Sequence, residues 1–252
     1  MLVTGASSGI GAAVSTLLAA RGARVVGTGR SSDALKLAPA GALEASVVRD
    51  LTDPGAPAEV VSAAVSALGG LDVVVSNAGT GWSGPFETMS PADIDFVLDI
   101  NLRAPLHLAN AASPYLLNSE AGGQLVLIGS IVGLVGVAEE VAYGAAKYGL
   151  RGLADGLRSE WARDAAGRRM TVTLVSPGVV DTPFFTHRNQ VYQRSWPKPM
   201  PVSRVARLIV SSIEHRREDV VVPGWLLLAG RLNGGLPTLY RLLAQIPDRN
   251  RR

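Results

Sequence analysis

Short apolar runs rich in valine, isoleucine and threonine alternate along the chain with longer segments of helical periodicity. The runs lie at residues 2–4, 24–28, 45–48, 71–75, 124–129, 170–175 and 220–222. Runs of this length and composition predict strands buried on both sides, and the segments between them are long enough to connect parallel strands. The alternation therefore predicts an α/β fold, a doubly wound parallel sheet with helices on both faces.

Length and composition restrict the class of protein further. The 252 residues fit a single domain, since neither a repeat nor a linker divides them. A hydrophobic content of 47% excludes disorder, and a chain without cysteine and with only 3 histidines predicts no metal site. A net charge of +3 without a basic stripe argues against nucleic-acid binding. No apolar run approaches the ~20 residues that span a bilayer, and we expect a cytoplasmic protein because the lack of cysteine suits a reducing compartment.

Three glycines, Gly5, Gly9 and Gly11, separate the first predicted strand from the first predicted helix. A bare backbone at the N-terminus of a helix lets a pyrophosphate approach, and the helix dipole favours its negative charge. The spacing differs from the commoner Gly-x-Gly-x-x-Gly pattern, and a glycine turn without a ligand is the alternative interpretation. The segment predicts a dinucleotide site that includes Ser7, Ser8 and Ile10.

The end of the second strand carries Gly29 and Arg30 where an acidic residue would favour NAD(H). A carboxylate there binds the ribose hydroxyls and repels a 2′-phosphate, whereas a guanidinium forms forked bonds to phosphate. The pair therefore predicts that NADP(H) is preferred, with NAD(H) still possible. A solvated arginine without a ligand is the alternative.

The segment from Ser130 to Lys147 carries the residues with the clearest chemistry. Ser130 follows the run at 124–129, at the strand end where open α/β sheets bind ligands. Tyr143 and Lys147 lie four residues apart, so on a helix they share one face. An ammonium beside a phenol lowers its pKa, and a serine hydroxyl can hold a substrate oxygen. Taken alone, a surface tyrosine with an ordinary lysine remains the alternative.

Asn101 is a polar residue within an apolar helical segment that follows Ser90 and Pro91. A buried asparagine needs hydrogen-bond partners, so Asn101 is either a structural bridge or a group that holds water. The sequence leaves these two interpretations equal.

Two segments near the end of the chain have less regular patterns. Residues 184–201 lack a clean period and carry Phe184, Phe185, Tyr192 and Trp196, which predicts a loop that closes over a substrate. Residues 224–252 form an apolar tail, in which Leu239, Leu242, Leu243 and Ile246 make one helical stripe. We expect this stripe to dock on protein, at the substrate pocket or on another subunit, in preference to a peripheral membrane contact.

The chain resembles the short-chain dehydrogenase/reductase family over about 220 residues. The matching positions are Thr4, Gly5, Gly9, Gly11, Asp50, Asn77, Ala78, Gly79, Asn101, Ser130, Tyr143, Lys147, Pro177 and Gly178. Each motif is weak alone, but their order and spacing together are specific. Members carry more apolar residues before the Thr-Gly motif, so we also expect the native chain to begin upstream of Met1.

The resemblance implies a role for each matching residue. Tyr143 would be the general acid or base, Lys147 would lower its pKa, Ser130 would fix the substrate oxygen, and Asn101 would hold a water. The expected cofactor-binding residues are Gly5, Ser7, Ser8, Gly9, Ile10, Gly11, Arg30, Asp50, Leu51, Asn77, Ala78, Gly79, Tyr143, Lys147, Pro177, Gly178, Val180 and Thr182.

The expected function is therefore that of an NADP(H)-dependent oxidoreductase that interconverts an alcohol and a ketone or aldehyde. The aromatic residues of 184–201 and the apolar tail favour a lipophilic substrate, and we expect a homodimer or homotetramer. A binding protein that senses NADP(H) without turnover is the alternative. It is disfavoured because the chain retains both Tyr143 and Lys147.

Overall fold

The computed structural model describes residues 1–163, 169–186, 188 and 197–244, with the side chains of 241, 243 and 244 left aside. The strands are β1 (Leu2–Thr4), β2 (Val26–Gly29), β3 (Ala45–Val48), β4 (Val73–Ser76), β5 (Gln124–Ile128), β6 (Thr171–Pro177), β7 (Val180–Asp181), β8 (Met200–Pro201) and β9 (Asp219–Val222). The α-helices are α1 (Gly9–Ala19), α2 (Ser32–Lys36), α3 (Ala56–Leu68), α4 (Pro91–Leu98), α5 (Ala104–Leu117), α6 (Val141–Trp161), α7 (Val202–Glu214), α8 (Leu226–Gly235) and α9 (Pro237–Ala244).

Seven strands form one parallel sheet in the order β3-β2-β1-β4-β5-β6-β9. The order reverses between β1 and β4, which is the point where open α/β sheets bind their ligands. Strand β1 pairs on both sides, with Leu2 opposite Val26 and Val74. The predicted doubly wound parallel sheet is confirmed.

Each face of the sheet is covered by its own apolar core. One core joins the α3, α5 and α6 side to residues such as Leu2, Leu125 and Leu127. The other joins the α1 and α7 side to their sequence neighbours Val3 and Val126. Because successive side chains of a strand point to opposite faces, a strand that serves two cores must be apolar at every position.

A hydroxyl at the end of β1 holds the two central strands together. Thr4 is fully buried, and its Oγ1 accepts hydrogen bonds from the backbone N–H groups of Asn77 and Ala78, both at 2.9 Å. The side-chain amide of Asn77 returns a bond of 2.9 Å to the Thr4 carbonyl. These bonds fix the geometry of the sheet edge at the switch point.

The C-terminal tail packs only in part. Leu226 is buried and Asn233 Nδ2 donates to the Leu134 carbonyl at 3.0 Å, which attaches α8 to the turn after β5. Leu228 and the stripe residues Leu239 and Leu242 are exposed in the single chain, so the expected docking of this stripe on protein stays a prediction. Residues 245–252, which include Ile246, lie outside the described residues.

The described helices include none with the length and hydropathy required to cross a membrane. The segment predicted as a loop, 184–201, begins within a short 3-10 turn at Pro183–Phe185 and ends at β8. Tyr192 and Trp196 lie outside the described residues.

We predict that Thr4→Val lowers the free energy of unfolding by roughly 2–4 kcal/mol, because two buried N–H groups lose their acceptor at ~1–3 kcal/mol each. Thr4→Ser keeps the hydroxyl and loses one methyl group, so its cost is about 1 kcal/mol. Urea denaturation of the three proteins measures the difference. Equal losses in the two variants would show that the hydroxyl contributes nothing beyond packing.

Candidate active site

The carboxyl ends of the central strands open on a cavity of about 1230 Å³. This exceeds the ~300–1,000 Å³ typical of a pocket for one small ligand, so the cavity has room for a cofactor and a substrate together. The glycine loop and the ends of β2 and β3 line one part of it. The turn after β5, the start of α6 and the tail line the other.

The glycine loop brings bare backbone to the cavity. Gly5 and Gly9 adopt positive φ angles of 64° and 54°, which other residues rarely take. Ser8 precedes α1, whose first turn carries no acidic residue, so the positive end of its dipole stays available to an anion. These features fit the pyrophosphate of a dinucleotide.

Gly11 is the predicted cofactor residue that lies away from the cavity. A Cβ atom there would stand 2.2 Å from the Gly5 carbonyl oxygen and 2.6 Å from Asn77 Nδ2. Gly11 therefore allows α1 to approach the strand end closely, and its contact with a ligand stays a prediction.

The other expected cofactor residues line the cavity. Asp50 Oδ1 accepts two hydrogen bonds from Thr52, one of 3.0 Å from the backbone N–H and one of 2.8 Å from the hydroxyl. Arg30 lies exposed at the end of β2, and Arg49, which the sequence analysis did not single out, lines the same region. Arg49 Nε forms an ion pair with Glu59 at 2.8 Å.

Ser130, Tyr143 and Lys147 lie together in the wall of the cavity. Tyr143 and Lys147 project from the first two turns of α6 and are buried, while Ser130 caps the 3-10 turn after β5. Lys147 Nζ donates to the Ile128 carbonyl at 2.9 Å and lies 5.5 Å from the centroid of the Tyr143 ring. The structure thus brings together the three residues expected to carry the chemistry.

The electrostatics of this group differ from the expectation. Burial raises the pKa of Tyr143, the charge of Glu140 raises it further, and a hydrogen bond with Ser130 and the charge of Arg188 act in the opposite direction. Burial also lowers the pKa of Lys147 to about 7. The predicted lowering of the Tyr143 pKa by Lys147 is therefore wrong for the protein without ligand, because removal from water dominates both groups.

Asn101 occupies a single turn of π-helix, Asp99–Arg103, between α4 and α5. Its side-chain amide donates to the carbonyls of Thr80 at 2.8 Å and Val97 at 2.9 Å. Its Oδ1 is buried and accepts no hydrogen bond from the described residues. Asn101 is thus a structural bridge that also offers one acceptor at the cavity wall, and π-turns of this kind are frequent at functional sites.

Several wall residues near Tyr143 were missed by sequence reasoning. They are Val135, Val137, Glu139, Glu140, Arg188, Trp225, Ala229 and Tyr240. The acidic pair Glu139 and Glu140, directly before α6, is the one signal in the sequence that indicates part of this wall. The tail positions follow no motif, so only the fold shows that they reach the cavity.

The order and contacts of these residues match a known family. A family model described as short chain dehydrogenase matches residues 1–193. The chain belongs to the short-chain dehydrogenase family. Relatives of this chain carry the names of dehydrogenases and reductases, so the protein is an oxidoreductase.

Among these relatives, 1-deoxy-11-beta-hydroxypentalenate dehydrogenase of Streptomyces avermitilis is 40% identical over 194 residues, covering 72% of this chain and 68% of the relative. The 3-oxoacyl-(acyl-carrier-protein) reductase of Escherichia coli is 34% identical over 183 residues, covering 72% and 73%. A short-chain dehydrogenase from Sphingobium yanoikuyae, solved with NADPH, aligns at a TM-score of 0.79 with 26% identity over 100% of this chain and 97% of that one.

We predict that the stability of this short-chain dehydrogenase without cofactor rises with pH because of Lys147. Its ammonium loses a proton near pH 7 when folded and near 10.5 when unfolded, so the unfolded chain binds more protons in this window. The free energy of unfolding of wild type, minus that of Lys147→Met, should increase by up to about 1.4 kcal/mol per pH unit from pH 7 to 10, as measured by urea denaturation. The exposed Lys198→Met is the matched control. If the difference in free energy of unfolding between wild type and Lys147→Met does not change with pH, the Lys147 ammonium stays protonated in the folded protein.

Proposed function

We propose that this protein is an NADP(H)-dependent oxidoreductase that interconverts an alcohol and a ketone or aldehyde on a lipophilic substrate. The observation that carries the proposal is the buried Tyr143 phenol in the wall of the cavity, with Ser130 and Lys147 beside it. A non-catalytic sensor of NADP(H) would have no use for this assembled group.

The cofactor would lie along the strand ends. The backbone of Gly5 to Gly9 would hold its pyrophosphate at the positive end of α1, Asp50 and Leu51 would meet the adenine, and Thr182 the carboxamide. Further contacts would come from Asn77, Ala78, Gly79, Pro177, Gly178 and Val180. When bound, a nicotinamide supplies or accepts the hydride.

The side chains of this chain would handle the proton. Because Tyr143 has a raised pKa, its phenol stays protonated at neutral pH and can donate to a carbonyl oxygen during reduction. Ser130 would hold the same oxygen. Lys147, with a pKa near 7, can gain or lose a proton at neutral pH, and Asn101 Oδ1 offers an acceptor for a water along its route to solvent.

The walls near Tyr143 support a lipophilic substrate. Val135, Val137, Phe184, Trp225 and Ala229 contribute apolar side chains to the cavity. The relative from Streptomyces avermitilis is named for a hydroxylated pentalenate, and the one from Escherichia coli for a 3-oxoacyl chain. Both names describe alcohol or ketone groups, which is the reaction type we propose here.

The other proposals rest on surface features. Gly29, Arg30 and Arg49 support NADP(H), as do the neighbours solved with NADPH and NADP, although another neighbour was solved with NAD. A homodimer or homotetramer stays a proposal. A cytoplasmic location stays a proposal.

We predict that Tyr143→Phe lowers kcat by about 10²–10⁴-fold, because it removes the acid that protonates the substrate oxygen. The affinity for NADPH should change little, since the ring stays in place. A panel of lipophilic carbonyls and alcohols, followed by NADPH oxidation and NADP reduction, measures both directions. A variant that keeps more than about a hundredth of the wild-type rate contradicts the role of Tyr143.

We predict that Arg30→Ala weakens NADPH binding roughly 10- to 100-fold and leaves NADH binding unchanged, because a charge-assisted bond contributes ~1.5–3 kcal/mol. Adding Gly29→Asp should reverse the preference, because a carboxylate there binds the ribose hydroxyls and repels a 2′-phosphate. A Cβ at this position would stand 3.2 Å from Ser7 Oγ, and both residues line the cavity. Fluorescence titration with each cofactor measures the ranking. If wild type binds NADPH and NADH with equal affinity, Arg30 does not determine the cofactor preference.

A further inference from the structure

Three segments from distant parts of the chain meet beside the Tyr143 ring. They are the turn after β4, which contains Gly81, the start of α6, which contains Glu140, and the segment after β7, which contains Phe184 and Arg188. The family roles given above explain Tyr143 but assign nothing to the charged pair. Its geometry therefore needs its own explanation.

Glu140 and Arg188 form a buried ion pair. Arg188 Nη1 lies 2.6 Å from Glu140 Oε1, and the side chains are 8% and 14% exposed. In every other ion pair between described residues, at least one side chain is 46% exposed or more. A buried pair holds its geometry strictly, because separating its members leaves an unpaired charge away from water.

A chain of ring contacts connects this pair to the phenol. The Arg188 guanidinium lies 4.7 Å from the centroid of Phe185, and Phe185 meets Phe184 edge to face at 5.6 Å. Phe184 then packs on the Tyr143 ring at 5.7 Å. The ion pair thus fixes the segment that presses on one side of Tyr143.

The turn after β4 provides the space for this arrangement. A Cβ at Gly81 would stand 2.6 Å from Phe184 Cζ and 3.2 Å from Arg188 Cδ. The nearby Gly84 N–H donates to the Glu139 carbonyl at 3.0 Å, which attaches the same turn to the start of α6. A side chain at position 81 would therefore require the Phe184 ring to shift from its present place beside Tyr143.

We propose that Glu140 and Arg188 are positioning residues for the proton transfer at Tyr143: their ion pair seats Phe184 on the phenol ring and balances the charge beside its hydroxyl. This inference rests on the proposed function. Four groups surround the phenol: Glu140 directly before α6, Lys147 within α6, Ser130 in the turn after β5, and Arg188. Glu139 also lines the cavity. Glu140 and Arg188 act on Tyr143 with opposite signs, so the loss of one exposes the effect of the other.

The kinetic test uses Glu140→Gln, Arg188→Met and the double variant. Each single variant should lower kcat by roughly 10- to 100-fold through misplacement of reacting groups, with the Kd for NADPH unchanged. The pH curve of kcat/KM for alcohol oxidation should move to lower pH in Glu140→Gln and to higher pH in Arg188→Met. The double variant should return towards the wild-type curve and lose no more activity than the worse single variant.

The matched control is Glu214→Gln, which removes a carboxylate from the surface pair with Arg21 at 2.8 Å. It should change neither kcat nor the pH curve. Curves that move in the same direction in the two single variants, or that do not move at all, would overturn the proposal. A purely structural pair would lower activity without opposite shifts.

A second measurement does not depend on turnover. The chain has 5 tyrosines and 4 phenylalanines, so ring-labelled protein gives few enough NMR signals to assign with Tyr143→Phe and Phe184→Leu. The nuclear Overhauser effect between these two rings should be present in wild type and Glu214→Gln, and lost in both single charge variants. If it persists in both, the pair does not seat Phe184 and the proposal fails.

Gly81→Ala provides a variant that touches neither charge. It should lose the ring contact and lower kcat while the pH curve stays in place, which separates seating from charge balance and keeps the test open if a charge variant does not fold. An intact ring contact in Gly81→Ala would contradict the seating role. If the ring contacts respond as expected but wild type turns over no carbonyl or alcohol of the panel, the positioning geometry stands and the proposed function fails.

Discussion

Between its two edge strands, a parallel sheet buried on both faces leaves backbone groups unpaired only where the strands end, and those groups still need partners. In this protein the side chains of the site supply them. Lys147 donates to the carbonyl at the end of β5, Asn77 to the last carbonyl of β1, and Asn101 to Thr80 beyond β4. The demand for donors at the strand ends therefore helps to place three polar side chains, and all three line the cavity.

The same burial that shapes the sheet edge sets the acid–base properties of the site. Tyr143 and Lys147 are both held away from water, so each favours its neutral form. The Tyr143 phenol therefore keeps its proton at neutral pH, and a lysine with a pKa near 7 exists there in both protonation states. Packing and one hydrogen bond to the Ile128 carbonyl keep the Lys147 side chain in place. Among the described residues, no other charged residue of α6 is needed for this.

The sequence was sufficient for the features that depend on local spacing. The alternation of runs predicts the sheet, and the four-residue separation of Tyr143 and Lys147 predicts that they share a helix face. It was insufficient where the outcome depends on distant packing. Whether Gly11 faces a ligand or a strand end, whether Leu239 is covered, and in which direction the Tyr143 pKa moves are all decided by neighbours far along the chain. Glu140 and Arg188 are 48 residues apart, so their pairing has no sequence signal.

The cavity wall changes its origin along the chain at the end of β6. Up to Pro177 the lining residues include the glycine loop and the strand ends, whereas Phe184, Arg188, Trp225, Ala229 and Tyr240 belong to the last third of the chain. The family model ends at residue 193, so Trp225, Ala229 and Tyr240 lie beyond the part of the chain that it matches, whereas Phe184 and Arg188 lie within it. Divergence of the last sixty or so residues can therefore change the wall formed by Trp225, Ala229 and Tyr240 while Ser130, Tyr143 and Lys147 are kept, and exchange of this segment between relatives is a natural route to new specificity.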